Sequence, residues 1–273
     1  MEKFMKKRKI ALGVVAGVTG AYLYSICPRL KDRANMKPFT ENKIYAHRGM
    51  HGGKIEENTL EAFAKAAENG YGIELDVRVS ADGQAVIAHD SALWHDSGEG
   101  RNISDLTAEE LKAYGVPCLS EVLQIVDGKV PLIVELKCET KDISICPIVA
   151  EVLDEYNGDY CIESFNPYVL KWFRECRPEI ARGQLSTCFG KDGERHPKYF
   201  ILENLLANRI SRPDFIAYNH KAPFNLSLAL CRKLYNTPII AWTVESAEEW
   251  SKCADKFDAY ICNGLPKKRT KKK

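Results

Sequence analysis

From about residue 40 onward, short apolar runs alternate with longer stretches in which apolar positions follow a helical period. This alternation indicates repeated strand–helix units around a parallel sheet. Eight strands are predicted: Lys43–His47, Gly72–Val77, Pro131–Lys137, Tyr160–Phe165, Arg182–Ser186, Asp214–Asn219, Pro238–Val244 and Ala259–Cys262. Eight units of this kind predict an α/β fold, a single (β/α)8 TIM barrel over residues 41–266.

Helices are predicted between the strands, at Thr59–Glu68, Ile143–Tyr156, Tyr168–Glu175, Tyr199–Ile210, Leu226–Tyr235 and Ala247–Lys256. One stretch departs from this alternation, because only residues 80–83 separate the second strand from another apolar run at 84–89. The link is too short for a parallel crossover, and Asp82-Gly83 favours a tight turn. We therefore predict an antiparallel hairpin here, whose second strand is either a ninth strand or a replacement for one of the eight.

An uncharged stretch of eighteen residues runs from Ile10 to Cys27, directly after a basic flank at residues 1–9. A helix needs about 20 apolar residues to cross a bilayer, so this length is near the lower limit. A cleaved signal peptide is the alternative, but its apolar region is usually shorter and no Ala-x-Ala site follows. We predict a single-pass transmembrane anchor at residues 10–27, a linker at residues 28–40 and a membrane localisation.

Basic residues are concentrated at the two ends of the chain. Residues 1–9 contribute about +4 and the tail at residues 267–273 about +6 to a net charge of +2, so the body between them carries about −8. An acidic body has the wrong sign for binding nucleic acid, and no such partner is expected. The two basic ends are expected to face anionic lipid beside the membrane helix.

The sequence leaves the side of the membrane and the oligomeric state open. Basic residues follow the uncharged stretch almost as densely as they precede it, so the positive-inside rule favours a cytoplasmic N-terminus only slightly. Ten cysteines are scattered without a Cys-x-x-Cys pair. Reduced thiols in a chain too long to need disulfides favour a cytosolic catalytic domain instead.

Acidic side chains fall at the carboxyl ends of predicted strands, where barrels carry their catalytic groups. Glu74 and Asp76 lie two residues apart on one strand, so both side chains point to the same face, and Glu135 lies on the next long strand. Buried carboxylates are costly unless a cation compensates them. Oxygen ligands of this kind predict a divalent metal, Mg²⁺ or Ca²⁺ rather than zinc.

Two histidines close strands at the same edge. They are His47 and His89. Free imidazoles titrate near neutrality, so one of the two could take a proton from a hydroxyl while the other gives one to a leaving alkoxide. Arg48 and Lys137 supply the positive charge that a phosphodiester needs. Each residue also has a structural explanation, such as an internal ion pair between Glu135 and Lys137. Taken together, the set predicts metal-assisted phosphoryl transfer.

The chain resembles the glycerophosphodiester phosphodiesterase family through an ordered series of short motifs from about residue 43 to residue 266. The series is His47-Arg48-Gly49, Glu57-Asn58-Thr59, Glu74-Leu75-Asp76-Val77, Asp82-Gly83, His89-Asp90, Glu135-Leu136-Lys137, Ser164-Phe165-Asn166 and Trp242-Thr243-Val244. The resemblance implies a metal held by Glu74, Asp76 and Glu135, and catalysis by His47 and His89. It further implies that Arg48, Asn58 and Lys137 assist at the phosphate, and that Phe165 and Trp242 line the substrate mouth.

The predicted function is hydrolysis of glycerophosphodiesters to an alcohol and glycerol 3-phosphate. A lysophospholipase D activity on lysophospholipids at the membrane is the alternative within enzymes, and the anchor with its basic ends favours it. A catalytically inactive, membrane-bound barrel that acts as a binding module is the alternative outside enzymes. The sequence does not decide the head group.

Overall fold

The structure is a computed structural model that describes residues 2–30, 34–94, 100–189, 196–222 and 224–264. The predicted tail at residues 267–273 lies outside the described residues, as do the last two residues of the predicted barrel domain. Within these ranges there are eleven strands: β1 Ile44–His47, β2 Gly72–Val79, β3 Ala85–Ile87, β4 Ala92–Trp94, β5 Gly100–Asn102, β6 Leu132–Leu136, β7 Tyr160–Ser164, β8 Arg182–Ser186, β9 Phe215–Asn219, β10 Ile239–Val244 and β11 Ala259–Cys262.

Eight of these strands close into a parallel barrel in the order β1, β2, β6, β7, β8, β9, β10 and β11, with β11 pairing back to β1. All eight predicted strands are present, and the predicted barrel is confirmed. The predicted hairpin is also confirmed, because β3 pairs antiparallel with β2 at the edge of the ladder and is a ninth strand. The short strands β4 and β5 form a separate two-stranded ribbon.

In the part of the chain that the structure describes, eleven α-helices accompany the strands: α1 Glu2–Ile26, α2 Lys37–Glu41, α3 Leu60–Glu68, α4 Ala108–Lys112, α5 Leu119–Val126, α6 Ile145–Asp154, α7 Pro167–Cys176, α8 Pro197–Glu203, α9 Asn208–Ser211, α10 Leu226–Tyr235 and α11 Ala247–Cys253. The prediction of one helix over Tyr199–Ile210 is wrong. Leu205, with φ of 55° and no exposed surface, interrupts it and separates α8 from α9.

The lower part of the barrel interior is apolar and is closed from below. Tyr45 and Phe215 fill the space between strands, and glycines face them: a Cβ on Gly72 would lie 2.5 Å from the Tyr45 ring, and one on Gly183 would lie 2.2 Å from the Phe215 ring. Phe39 of α2 is buried beneath this layer and accepts a hydrogen bond from the Tyr45 hydroxyl through its carbonyl oxygen. Part of the predicted linker therefore forms the floor of the barrel.

The N-terminal helix α1 has an exposed part and a packed part. The stretch Arg8–Ile26 is long and apolar enough to cross a membrane, with a mean hydropathy of 1.4 and 6% of it buried, a test that a signal sequence also passes. Its last turn packs on the barrel wall, where Ile26 is buried against Leu205 and Cys231. The last turn of α1 is thus in direct contact with the barrel.

Candidate active site

A cavity of about 260 Å³ opens at the carboxyl ends of the barrel strands. Because side chains alternate along a strand, the residues two positions above the apolar layer point into this mouth. Tyr45 is followed in this way by His47, Gly72 by Glu74, and Ile133 by Glu135. Eight of the ten predicted site residues line the cavity: His47, Arg48, Glu74, His89, Glu135, Lys137, Phe165 and Trp242.

Three buried carboxylates face one another at the base of the catalytic cavity. One carboxylate oxygen from each of Glu74, Glu135 and Glu163 lies within 4.8 Å of the others. Burial raises the pKa of Glu74 well above its usual range, with repulsion from Asp76 and Glu163 adding to the effect. Burial likewise raises the pKa of Glu135 to about 7 and that of Glu163 well above 4.5. Acids that repel one another at this distance form a site for a cation.

Asp76 lies behind this triad among cationic and amide groups. Lys137 Nζ is 2.9 Å from Asp76 Oδ1, Arg48 Nε is 3.2 Å from Asp76 Oδ2, and the Asn58 amide donates to Asp76 Oδ2 at 3.0 Å. Burial alone would raise the pKa of Asp76, but Lys137, Arg48 and Asn58 hold it below its usual range. Asp76 is therefore the ionised member of the acidic set.

The acidic and basic charges at the base of the catalytic cavity do not balance. Lys137 also contacts Glu135, with Nζ 2.8 Å from Oε2, so it divides its charge between two acids. Oε2 of Glu163 is buried and has no hydrogen-bond partner in the part of the chain that the structure describes. Four carboxylates thus surround two side-chain cations, Arg48 and Lys137. An excess of two acidic groups with oxygen donors fits a divalent hard cation such as Mg²⁺ or Ca²⁺.

His47 is held in one orientation by a residue of the last strand's loop. Its Nδ1 lies 2.7 Å from Asn263 Oδ1. An amide oxygen only accepts, so Nδ1 carries the hydrogen and Nε2, 3.9 Å from Glu74 Oε2, presents a lone pair to the cavity. Burial lowers the pKa of His47 to about 4, with the Arg48 charge adding to this, so the ring is neutral near pH 7. A neutral ring of this tautomer can act as a base.

His89 is oriented by two polar contacts at the end of the β2–β3 hairpin. Its Nδ1 lies 2.8 Å from Asp90 Oδ1, and this contact fixes the orientation of the ring. Arg78 fixes the backbone, because its Nε and Nη2 donate to the His89 carbonyl oxygen at 2.9 and 2.7 Å. The same guanidinium donates to Glu139. The two histidines therefore have different surroundings, one buried and neutral, the other beside an acid.

A tight turn after β1 positions Arg48. Arg48 has φ of 54°, and its backbone N–H donates to Glu74 Oε2 at 3.2 Å. Gly49 follows with φ of 83°, where a Cβ would lie 2.8 Å from the Ala62 backbone. Only glycine fits this close approach of the turn to α3. The turn directs the Arg48 side chain between Asp76 and Glu57, whose Oε1 lies 2.6 Å from Arg48 Nη1.

Aromatic rings form one wall of the mouth. The rings of Phe165 and Trp242 meet edge to face with centroids 5.8 Å apart. Phe165 also contacts Phe189 at 6.0 Å, and Phe189 stacks on Tyr199 of α8 at 5.0 Å. The wall therefore continues outward from the cavity to a helix on the barrel rim.

All ten predicted site residues are brought together, eight in the cavity and Asp76 and Asn58 directly behind it. The sequence analysis missed three further residues, Glu163, Asn263 and Arg78. Glu163 faces Glu135 across β6 and β7 in register, and the period-two rule that selects Glu74 and Asp76 would also have selected it two residues after Cys161. Asn263 immediately follows β11, so its place at a strand end was a usable signal.

Comparison with known proteins agrees with this architecture. Residues 47–259 match the Glycerophosphoryl diester phosphodiesterase family. The structure superposes on that of glycerophosphodiester phosphodiesterase from Thermotoga maritima with a TM-score of 0.64 and 26% identity, covering 81% of this chain and 93% of that one. Fold and site define a (β/α)8-barrel phosphoric diester hydrolase. The chain belongs to the glycerophosphoryl diester phosphodiesterase family.

Two relatives illustrate the range of the family. A glycerophosphodiester phosphodiesterase of Caldanaerobacter subterraneus is 32% identical over 166 residues, which are 53% of this chain and 67% of the relative. A lysophospholipase D of Mus musculus is 33% identical over 130 residues, 47% of this chain and 37% of that protein.

Proposed function

We propose that the chain hydrolyses glycerophosphodiesters to an alcohol and glycerol 3-phosphate, with His47 and His89 as the acid–base pair. The observation that carries this proposal is a surplus of buried carboxylates beneath two differently held imidazoles in one cavity. Family membership supports the reaction class. The inactive-barrel alternative is disfavoured, because a binding module has no need for a costly cluster of mutually repelling acids.

In the first step, His47 Nε2 takes the proton of the glycerol hydroxyl next to the phosphodiester. The hydroxyl oxygen bonds to phosphorus, and the bond from phosphorus to the alcohol oxygen breaks. His89 gives its ring proton to that departing oxygen, so the alcohol leaves neutral. The low pKa of His47 keeps its ring able to accept a proton near pH 7, and the contact with Asp90 orients the His89 ring.

In the second step, the roles of the two rings reverse. His89, now neutral, takes a proton from water, and the water oxygen attacks phosphorus of the cyclic phosphate. The bond to the glycerol oxygen breaks, and that oxygen recovers the proton held by His47. Both rings end in their starting states, and glycerol 3-phosphate is released. Arg48 and Lys137 bind the phosphate charge throughout.

Of the predicted ligands, Glu74 and Glu135 would hold a divalent metal, Mg²⁺ or Ca²⁺, together with Glu163, whereas Asp76 lies behind them and is neutralised by Lys137 and Arg48. When bound, such a cation supplies the charge that stabilises a phosphoryl group as it gains negative charge. It also lowers the cost of ionising the three glutamates, whose pKa values are raised by burial.

The test is a substrate panel with the purified full-length chain in detergent, with Mg²⁺, Ca²⁺ or EDTA. Glycerophosphocholine is expected to yield choline and glycerol 3-phosphate in equal amounts when the cation is present. Release of choline phosphate instead would indicate a phospholipase C type cleavage and contradict the assignment. No turnover of any glycerophosphodiester with either cation would favour the binding-module alternative.

The second candidate function is a lysophospholipase D activity, in which the same bond is cleaved in a lysophospholipid. The observation that favours it is the apolar N-terminal helix joined directly to the barrel, since a water-soluble substrate needs no membrane attachment. The related mouse enzyme carries this name.

A further inference from the structure

The end of α1 is fixed along the side of the barrel by a ladder of contacts. The Tyr22 and Ser227 hydroxyls lie 2.7 Å apart, and the Ile26 carbonyl oxygen accepts from Cys231 and from the Asn208 amide. Ser227 and Cys231 are four residues apart on α10, as are Tyr22 and Ile26 on α1. The two helices therefore run side by side in the same direction.

This direction determines where the rest of α1 goes. The Arg29 N–H donates to the Pro213 carbonyl oxygen, and the Arg29 guanidinium pairs with Asp214, both just before β9 begins at the floor of the barrel. Tyr22 instead meets the first turn of α10, which follows the carboxyl end of β9 at the mouth. Going back from Arg29 to Tyr22, the chain climbs from the floor to the mouth. Residues before Tyr22 therefore project beyond the catalytic end.

The part of α1 that projects from the barrel is too short to hold a membrane at a distance from it. Helix α1 is continuous from Glu2 to Ile26, and its uncharged residues before the contact with the barrel, 10–21, extend about 18 Å at 1.5 Å per residue. The hydrocarbon core of a bilayer is about 30 Å thick. A membrane that takes up this stretch must therefore lie directly against the rim of the barrel.

The rim beside α1 is apolar where that contact would fall. Phe224, 82% exposed, and Leu226, 57% exposed, precede and begin α10. Phe200 and Ile201 are exposed on α8, which is tied to the same loop because the Asn225 amide donates to the Glu203 carbonyl oxygen. Leu226 thus adjoins Ser227, which contacts Tyr22 of α1, and α8 with its two exposed apolar side chains is bonded to the same loop. We call Phe200, Ile201, Phe224 and Leu226 the apolar rim.

The apolar rim is connected to the catalytic cavity by rings. Trp242 and Phe165 line the cavity, and the contacts continue through Phe189 to Tyr199 on α8, next to Phe200. An acyl chain on the glycerol of a bound phosphodiester could lie along this row of rings with its end toward the rim. A small, fully polar glycerophosphodiester would make no use of the row.

We propose that the apolar rim docks on a lipid bilayer beside the inserted helix α1, so that the catalytic mouth faces the membrane and takes glycerophosphodiesters that carry an acyl chain. The substrate part rests on the proposed phosphodiesterase function, whereas docking does not. The occupant is lipid rather than a second copy of the chain because the rim is continuous with an exposed apolar helix that requires lipid cover.

The chain provides a matched control on a single helix. Leu226 and Leu234 begin and nearly end α10 with the same exposed fraction, 57%, but only Leu226 lies at the mouth. Full-length Phe224→Ser/Leu226→Ser and Leu234→Ser variants are reconstituted in phosphatidylcholine vesicles. Turnover of lysophosphatidylcholine in the bilayer is divided by turnover of glycerophosphocholine in water. We expect the rim variant to lower this ratio about tenfold and Leu234→Ser to leave it unchanged.

A second measurement tests docking without turnover. The added tryptophan emission of Phe224→Trp is expected to be lost in vesicles whose acyl chains carry bromine, whereas that of Leu234→Trp persists. Equal quenching of the two, or a rim variant that only abolishes self-association of the chain, would overturn the docking proposal. An unchanged ratio in the rim variant would overturn the substrate proposal. If the wild type cleaves neither ester, the phosphodiesterase function fails while quenching still decides docking.

Discussion

The barrel buries acidic side chains at both ends, and the two ends treat them differently. At the floor, Asp214 has no exposed surface and is neutralised by Arg29 at 3.1 Å and Arg182 at 3.6 Å, and its Oδ2 accepts from the Arg182 backbone N–H. At the mouth, Lys137 pairs with only one of the three clustered glutamates, Glu135, and divides its charge between that acid and Asp76. The floor is a closed ion network, whereas the mouth holds a charge surplus.

This difference separates stability from function. A buried acid with its partners in place costs little, but removing a partner leaves an uncompensated charge. The three glutamates at the mouth already lack enough cationic partners, as their raised pKa values indicate. A fold retains such a cluster only where something outside the chain completes it, which is the pattern of a catalytic centre.

The largest expected effect is at the mouth. Glu135→Gln removes one charged oxygen ligand and should lower the turnover of glycerophosphocholine by on the order of 10³-fold or more, with little loss of folding stability. Steady-state kinetics at saturating Mg²⁺ or Ca²⁺ measure the first, and urea unfolding the second. Asp154→Asn is the control, a surface acid paired with Arg177 that should leave turnover unchanged.

The histidines should have the next largest effect. His47→Ala and His89→Ala, made singly, are expected to lower turnover by about 10²–10⁴-fold, the range for loss of a general acid or base. His51, whose Nε2 lies 3.3 Å from Asn263 Oδ1 but which does not line the cavity, is the control. Activity retained in either alanine variant, or an equal loss in His51→Ala, would remove the acid–base assignment.

At the floor the same kind of change should reduce stability instead. Asp214→Ala removes the acid that faces the buried guanidinium of Arg182 and should cost about 3–5 kcal/mol of unfolding free energy. The protein that remains folded should keep its turnover per molecule. Chemical denaturation followed by circular dichroism measures the cost, and Asp154→Ala, at an exposed pair, should lose far less. A turnover defect without a stability loss would contradict the division between the two ends.

The smallest expected effect is the contribution of one mouth glutamate to the pH dependence of folding stability. The folded-state pKa of Glu163 is raised above 4.5 by burial, so the native state holds a proton that the unfolded state releases. Above about pH 4.5, stability should therefore fall by at most about 1.4 kcal/mol per pH unit from this group. Glu163→Gln should remove this slope in EDTA, measured by urea unfolding at pH 5 and pH 8. An unchanged slope would show that ionising Glu163 does not reduce folding stability.

The barrel could be predicted from the sequence because each strand is a short apolar run bounded by turns. Eight such strands alternating with helices are enough to predict a closed sheet. Strand ends that meet at one rim were sufficient for seven site residues, whereas Asn58, Phe165 and Trp242 were predicted only from the family resemblance. The sequence did not yield the break at Leu205, since a positive φ in a leucine is set by packing beneath Ile26 rather than by local preference. The attachment of α1 likewise depends on contacts between residues about 200 positions apart, such as Tyr22 and Ser227.

The sequence also could not show which of the acids at the mouth is held ionised by cations. Glu74 and Asp76 are equivalent in the pattern, yet Asp76 is held ionised by two cations while Glu74 faces other acids. That distinction depends on where the long side chains of Arg48 and Lys137 come to rest, which no spacing rule specifies.

The central claim is that the carboxylate surplus at the mouth is completed by a divalent cation needed for phosphodiester cleavage. The most direct test is turnover of glycerophosphocholine by the EDTA-stripped full-length chain as Mg²⁺ or Ca²⁺ is added back. We predict no turnover after stripping and saturable recovery with at least one of these ions, absent in Glu135→Gln. Full turnover in excess EDTA would contradict the claim.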